Sequence, residues 1–139
     1  VIGIAFSSEN KKSILQMKRE GVRFVFNPTE LVPLIVEADL AICSGGITLA
    51  EMAALGTPAV AVTQNYYQHF AASEFHRRGT CIHLGYGKDV TEEKIKNTVR
   101  RLITSYDLRK EMSHKGRKLV DGKGAIRVVK EILKVMDER

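Results

Sequence analysis

Two adjacent glycines followed by a threonine and a glutamate form the part of this chain best suited to chemistry. In Ser44-Gly45-Gly46-Ile47-Thr48-Leu49-Ala50-Glu51, a short apolar run ends at the serine and a helix-like run begins after the glycines. Glycines at such a turn permit positive φ and let a ligand approach the backbone closely. The helix that follows offers unpaired N–H groups and the positive end of its dipole, a setting that favours an anion, most often a phosphate. Thr48 and Glu51 fall within the first turn and a half, near whatever binds there. The same pattern also serves as a plain strand-to-helix connection in which the glycines are needed only for packing.

Other reactive side chains are sparse. Cys43 and Cys81 each belong to a short apolar run, which predicts strand positions in the core, and Cys43 lies beside the glycine turn. Neither has a Cys or His at metal-ligand spacing, and no carboxylate pair has one either, so no metal is expected. Two cysteines fit a reduced, cytoplasmic setting. The histidines are His69, His76, His83 and His114. Only His69 falls near the loop at 63–68, where it could contact a phosphate or simply sit on the surface.

The elements that must position these residues alternate regularly. Apolar, partly β-branched runs at 1–6, 22–26, 40–43, 59–62 and 81–84 predict five strands. Helical spacing predicts helices at 11–20, from 29 to about 38, and at 46–55, 67–78, 91–105, 108–120 and 125–136. Gly21, Gly56 and Gly79 act as stops, and Asp107 is expected to cap the helix at 108–120. In the helix at 91–105, Ile95, Val99, Leu102 and Ile103 are expected to face inward, and the helix at 125–136 carries Ile126, Val129, Ile132 and Leu133 as its apolar residues. This alternation predicts an α/β fold, a doubly wound Rossmann-like three-layer sandwich on a parallel sheet. Ligands bind such sheets beyond the carboxyl ends of the strands, where the loops at 7–10, 44–48 and 63–68 fall.

At 139 residues the chain suits one domain, residues 1–139, with no linker or repeat dividing it. No apolar run approaches the ~20 residues of a bilayer span, and residues 1–6 lack the basic leader of a signal peptide. A start at Val1 suggests an excerpted chain. The formal net charge is +6, with much of the excess late in the sequence, as at Arg100, Arg101, Arg109, Lys110, Arg117 and Lys118. A basic face can attract nucleic acid, an anionic membrane surface or a phosphorylated substrate, although a solvated helix face is the commoner explanation. Almost no aromatic residue interleaves with the cluster, so a platform for single-stranded nucleic acid is not expected.

Ala38-Asp39-Leu40-Ala41-Ile42-Cys43-Ser44-Gly45-Gly46-Ile47-Thr48-Leu49-Ala50-Glu51, followed by Gly56-Thr57-Pro58 and an amide-rich loop, resembles the C-terminal nucleotide-sugar-binding domain of the GT-B glycosyltransferases. The resemblance is strongest to the UDP-sugar hydrolases of pseudaminic acid synthesis and the spore-coat and flagellar polysaccharide proteins. It extends more distantly to the peptidoglycan N-acetylglucosaminyltransferase. Asp121-Gly122-Lys123-Gly124-Ala125-Ile126-Arg127 is similar to a signature of the hydrolase group. The resemblance runs the length of the chain.

The resemblance implies that Ser44, Gly45, Gly46 and Thr48 hold the diphosphate of a UDP-sugar. It implies that Glu51 accepts hydrogen bonds from the ribose hydroxyls, as a carboxylate facing two vicinal hydroxyls can. Gln68, with Gln64 and Asn65, matches the amide-bearing loop at the sugar or diphosphate, and Phe26 and Asn27 match the loop beside the uracil. No cofactor and no metal are implied; the ligand is UDP or a UDP-sugar.

Two departures qualify this. The family's first strand and phosphate loop are missing, so the five strands are expected to close up in the order 2-1-3-4-5, leaving a sheet edge open to self-association. The N-terminal domain, which carries the acceptor site and the hydrolases' catalytic histidine, is also missing, and none of the four histidines matches that position. The chain is therefore expected to bind the donor without catalysing alone, completed by an N-terminal domain or partner subunit, in the cytoplasm or peripheral to a membrane. The competing readings are a non-catalytic Rossmann-type module for another phosphorylated ligand or nucleic acid, and an inert excerpt with an incomplete site.

Overall fold

The computed structural model describes residues 1, 7–17 and 19–137. They form two compact units, Val1–Pro33 and Leu34–Arg139. In the first unit, Ser7 caps helix α1 (Ser8–Gln16), its Oγ accepting the Asn10 backbone N–H at 3.1 Å. The strand expected at 1–6 lies almost wholly outside the described residues. The strand expected at 22–26 reduces to a single bridging residue, Phe26. An apolar alternation makes a strand only where a partner backbone takes up its N–H and C=O groups. Helix α2 (Val32–Val36) is shorter than expected, and only Ile35 in it is buried.

The second unit is built on three parallel strands, β1 (Ala41–Cys43), β2 (Ala59–Thr63) and β3 (Cys81–Tyr86), in the order β1-β2-β3. Among the described residues the sheet has these three strands, not five. The alternating register divides it into two faces. Val60 and Leu84, with Val62 and Ile82, pack against Leu102, Met112, Ile95 and Leu108, which come from helices α5 (Glu92–Thr104) and α6 (Tyr106–Leu119). Cys81 and His83 point the other way, to helix α4 (Tyr66–Arg77), where Cys81 Sγ meets the Ala72 carbonyl and His83 meets Ser73. Helices therefore cover both faces, as an α/β sandwich requires.

Helix α3 (Ile47–Leu55) ends in a Schellman pattern: Thr57 N–H donates to Met52 O at 2.8 Å and Gly56 N–H to Ala53 O at 3.2 Å, with Gly56 at φ +82°. Thr57 Oγ1 then donates to the Ile35 carbonyl at 2.8 Å in the interior, fixing the entry to β2. Alongside, α6 comes so close that a Cβ on Gly116 would lie 2.8 Å from the Ala53 carbonyl oxygen. A bulge sets Ala61 opposite His83 but Val62 opposite Gly85, leaving Leu84 as the extra residue of β3.

Two local expectations are corrected. The N-cap of α6 is Ser105, whose Oγ accepts the Leu108 N–H; Asp107 lies inside the first turn. Ile103 is exposed, on the outer side of α5. Helix α7 (Gly124–Asp137) forms with the expected apolar stripe, but Ile126, Val129, Ile132 and Leu133 are each more than half exposed. Among the described residues no helix is long and apolar enough to cross a membrane.

Candidate functional site

The carboxyl ends of β1 and β2 carry two of the three loops singled out from sequence, those at 44–48 and 63–68. Gly45 is buried at φ +79°. A Cβ there would lie 3.0 Å from Thr63 Cγ2, 3.1 Å from Ala72 Cβ and 3.3 Å from the Gln68 carbonyl oxygen. Conformation and space both require glycine, and the same contacts join the β1 turn to the start of α4. Gly46 serves a different purpose. It is the N-cap of α3, with no side-chain capping hydrogen bond, and a Cβ there would meet nothing within 4 Å. The N-terminus of α3 is thus uncapped and open above a firmly packed glycine, an arrangement suited to an anionic ligand. Ser44 is exposed at its edge, and Thr48 is half-buried.

Glu51 stands one turn along α3 from Thr48, exposed and without an ion pair among the described residues. Neither a cation nor a helix-end N–H holds it, so its carboxylate oxygens are available to accept hydrogen bonds.

The loop after β2 is tied down by its own amides. Gln64 N–H donates to Gln68 Oε1 at 2.8 Å, and Gln68 N–H donates to Asn65 Oδ1 at 3.0 Å, making Asn65 the N-cap of α4. The Gln64 side-chain amide folds back over Gly87, where a Cβ would be 3.0 Å from Nε2. The structure therefore brings Gly45, Gln64, Asn65 and Gln68 together. Phe26 and Asn27 belong to the other unit; Asn27 takes the left-handed conformation at φ 44°.

Beneath α4 lies a polar network that the sequence did not reveal. Thr63 is fully buried, and its hydroxyl donates to the Gly85 carbonyl at 3.1 Å. Having spent its one proton, Thr63 Oγ1 accepts from His83 Nε2 at 3.3 Å, which leaves His83 Nδ1 to accept the Ser73 hydroxyl at 3.2 Å. The His83 pKa is lowered first by burial and then by the neighbouring His69, His76 and Lys94, partly offset by the Gly85 backbone. His69 lies face to face on Tyr86, centroids 4.3 Å apart at 4°, and meets His83 edge-on at 4.7 Å. Its Nδ1 is buried without a hydrogen-bond partner among the described residues. His69 is thus a packed residue rather than a surface one. A signal was present in the alternation that puts residue 83 on the α4 side of β3, but its partners Thr63 and Ser73 are 20 and 10 residues away.

The surroundings of Cys43 disfavour its thiolate. Burial raises its pKa, an effect only partly offset by the Gly45 backbone N–H against the sulfur. Among the described residues no group of three or more His, Cys, Asp or Glu side chains could hold a metal ion.

Residues 5–128 match the family model of the glycosyltransferase family 28 C-terminal domain. The chain is 35% identical over 111 residues to the spore coat polysaccharide biosynthesis protein SpsG of Bacillus subtilis (strain 168), covering 80% of this chain and 33% of that protein. It is 28% identical over 130 residues to the UDP-N-acetylglucosamine–N-acetylmuramyl-(pentapeptide) pyrophosphoryl-undecaprenol N-acetylglucosamine transferase of Caldanaerobacter subterraneus subsp. tengcongensis, covering 86% of this chain and 35% of the transferase. The chain thus spans about a third of the length of these relatives. Among solved structures, Acinetobacter baumannii MurG superposes with a TM-score of 0.70 at 22% identity, over 91% of this chain and 38% of that one. A UDP-N-acetylglucosamine 2-epimerase superposes with a TM-score of 0.70 at 20% identity, over 99% and 36%. These two likenesses establish a shared GT-B-type α/β fold. The chain belongs to the glycosyltransferase family 28 C-terminal domain family.

Proposed function

We propose that this chain holds the nucleotide-sugar donor, with UDP as the nucleotide, for an enzyme of surface polysaccharide or nonulosonic acid synthesis. The observation that carries the reading is the open, uncapped N-terminus of α3 behind the packed Gly45. Its unpaired N–H groups and dipole favour a diphosphate by roughly 0.3–1 kcal/mol from the dipole alone, with hydrogen bonds to the charged oxygens adding more. Ser44, Gly46 and Thr48 line that point. Glu51, exposed and unpaired one turn on, accepts the ribose hydroxyls. Gln68 Oε1 is already taken by the Gln64 N–H, so its NH2 group donates to the sugar or diphosphate, with Gln64 and Asn65 shaping the loop.

In this reading residues 1–139 make one nucleotide-sugar domain. An N-terminal domain or partner subunit supplies the acceptor site and the groups that break the glycosidic bond. Whether the complete enzyme hydrolyses or transfers depends on that part; the 121–127 segment favours the hydrolase. The bare apolar stripe of α7 is a surface such a partner would cover.

Saturation-transfer NMR with UDP-N-acetylglucosamine tests the proposal. Saturation of the uracil, ribose and sugar protons that UDP competes away is expected. The absence of transfer, or transfer that UDP does not displace, would overturn it.

A further inference from the structure

Across the sheet from the donor loops, at the amino ends of β1 and β2, lies a groove of about 360 Å³ between α6 and the turns that precede the strands. Tyr106, Arg109, Lys110, Ser113 and Arg117 line it from α6. Their spacing puts them on one face of the helix, over about 16 Å of its length. Three of the five are cations, and Asp39 on the opposite wall is the one carboxylate in the lining. None of the three cations is in an ion pair among the described residues.

The two guanidinium groups are tethered by hydrogen bonds. Arg109 Nη1 donates to the Leu102 and Ile103 carbonyls at 2.7 Å each, which anchors one edge of the guanidinium at the end of α5. The Arg109 and Lys110 head groups lie 5.9 and 6.0 Å from the centre of the Tyr106 ring. Arg117 leans back along the helix and donates from Nη1 to Ser113 Oγ at 2.8 Å. Its guanidinium occupies the space that a side chain at Gly56 would fill: a Cβ there would overlap Nη1 and come within 2.9 Å of Cζ. Gly56 therefore does more than end α3, because its missing side chain seats this arginine against the groove. Arg109 keeps Nε and Nη2, and Arg117 keeps Nε and its second amino group, as free donors.

Fixed, partly spent guanidinium groups beside an ammonium group and a hydroxyl suit a compact, multiply charged oxyanion. The volume is near the lower end of the ~300–1,000 Å³ typical of small-molecule sites. That leaves room for a phosphate or diphosphate group rather than a nucleotide. The geometry points to a second anion site on this face, one that takes a phosphate or diphosphate group and is separate from the donor loops. Such a group could arrive as a soluble metabolite or on a lipid, and the groove would recognise the same oxygens in either case.

Titration of 15N-labelled chain with inorganic diphosphate at constant ionic strength tests the site. Saturable shifts are expected at the backbone amides of Gly56, Ser113 and Arg117. They should persist in Glu51→Ala. In the double variant Lys110→Gln/Arg117→Gln they should weaken about tenfold or more, the loss expected for two charge-assisted contacts. The single variant Arg117→Lys keeps the charge but loses the fork, and should fall in between. A second arm follows co-sedimentation with phosphatidylcholine vesicles with and without phosphatidic acid. Saturable diphosphate binding without sedimentation supports a soluble ligand. Phosphatidic acid-dependent sedimentation lost in the double variant supports a lipid-borne one. Shifts confined to residues 44–48, binding untouched by the double variant, or failure of both arms would overturn the proposal.

Discussion

Gln68 Oε1 accepts the backbone N–H of Gln64 at 2.8 Å, while Gln68's own N–H is taken by Asn65 Oδ1. The Gln68 side chain thus closes the loop after β2, and the Asn65 side chain starts α4. This separates two roles that a single substitution can pull apart. Gln68→Glu keeps the acceptor for Gln64 but loses the NH2 donor. It should leave the melting temperature nearly unchanged and weaken UDP-sugar binding about tenfold, the loss of one hydrogen bond to a charged group. Gln68→Ala should weaken binding as well and lower stability by roughly 0.5–1.5 kcal/mol. Calorimetry and thermal unfolding of both variants measure the two effects.

The two glycines of the β1 turn should respond in opposite ways. Gly45→Ala combines φ +79° with contacts near 3 Å to Thr63 and Ala72, and should cost about 1–3 kcal/mol in urea unfolding. Gly46→Ala meets open space at φ −81° and should leave stability nearly unchanged. If a diphosphate sits on the α3 N-terminus, the added methyl group obstructs it, so Gly46→Ala should lose UDP affinity while keeping its unfolding curve.

His83 makes stability pH-dependent with a definite sign. Its folded-state pKa lies below the usual histidine value because burial and the neighbouring His69, His76 and Lys94 disfavour the cation. The unfolded chain therefore binds the proton more readily. The contribution is fully present above the unfolded value of about 6.5 and is lost as pH falls toward the folded one. Urea midpoints should drop between about pH 7 and pH 5, and the drop should shrink in His83→Gln. Glu74 and Asp121, each lowered to about 2 by arginine partners, carry the same sign at lower pH.

The thiols should be slow to react. Burial raises the Cys43 pKa and, with Cys43 beside it, pushes Cys81 up to about 12. The thiolate is the reacting form. A thiol reagent at mildly alkaline pH should therefore modify Cys43 more slowly than a free cysteine, and Cys81 only on unfolding. Because Cys43 lies against the Gly45 N–H, bound UDP should slow its modification further.

The apolar face of α7 should be thermodynamically idle in this chain. Ile132 and Leu133 are each more than half exposed. Ile132→Lys or Leu133→Lys should change unfolding by less than about 0.5 kcal/mol while reducing binding of a hydrophobic dye.

Much of this arrangement was legible in the sequence because it depends on local chemistry. The runs around Ala41, Val60 and Cys81 are apolar, bounded by glycine and proline, and form the three strands within a residue or two at each end. Gly45 and Gly56 announced their positive φ by standing between a strand and a helix, or at a helix end. What failed depends on partners distant in sequence. The run at 22–26 has the composition of a strand, but only Phe26 bridges. The stripe of α7 was read correctly as apolar, yet periodicity says which face is apolar and not what covers it. Ser105 and Asp107 are both good caps; Ser105 won because the chain already breaks there between α5 and α6 and its Oγ reaches the Leu108 N–H. The Thr63–His83–Ser73 network required strand register, which a single histidine in an apolar run does not give.

The central claim is that the α3 N-terminus and Glu51 together hold a uridine diphosphate group. Isothermal titration of UDP into the chain and into Glu51→Ala tests it most directly. Saturable one-to-one binding to the unaltered chain is expected, with about a tenfold or greater loss in the variant, as when a charged acceptor facing two hydroxyls is removed. No measurable binding of UDP, or equal affinity in both proteins, would contradict it.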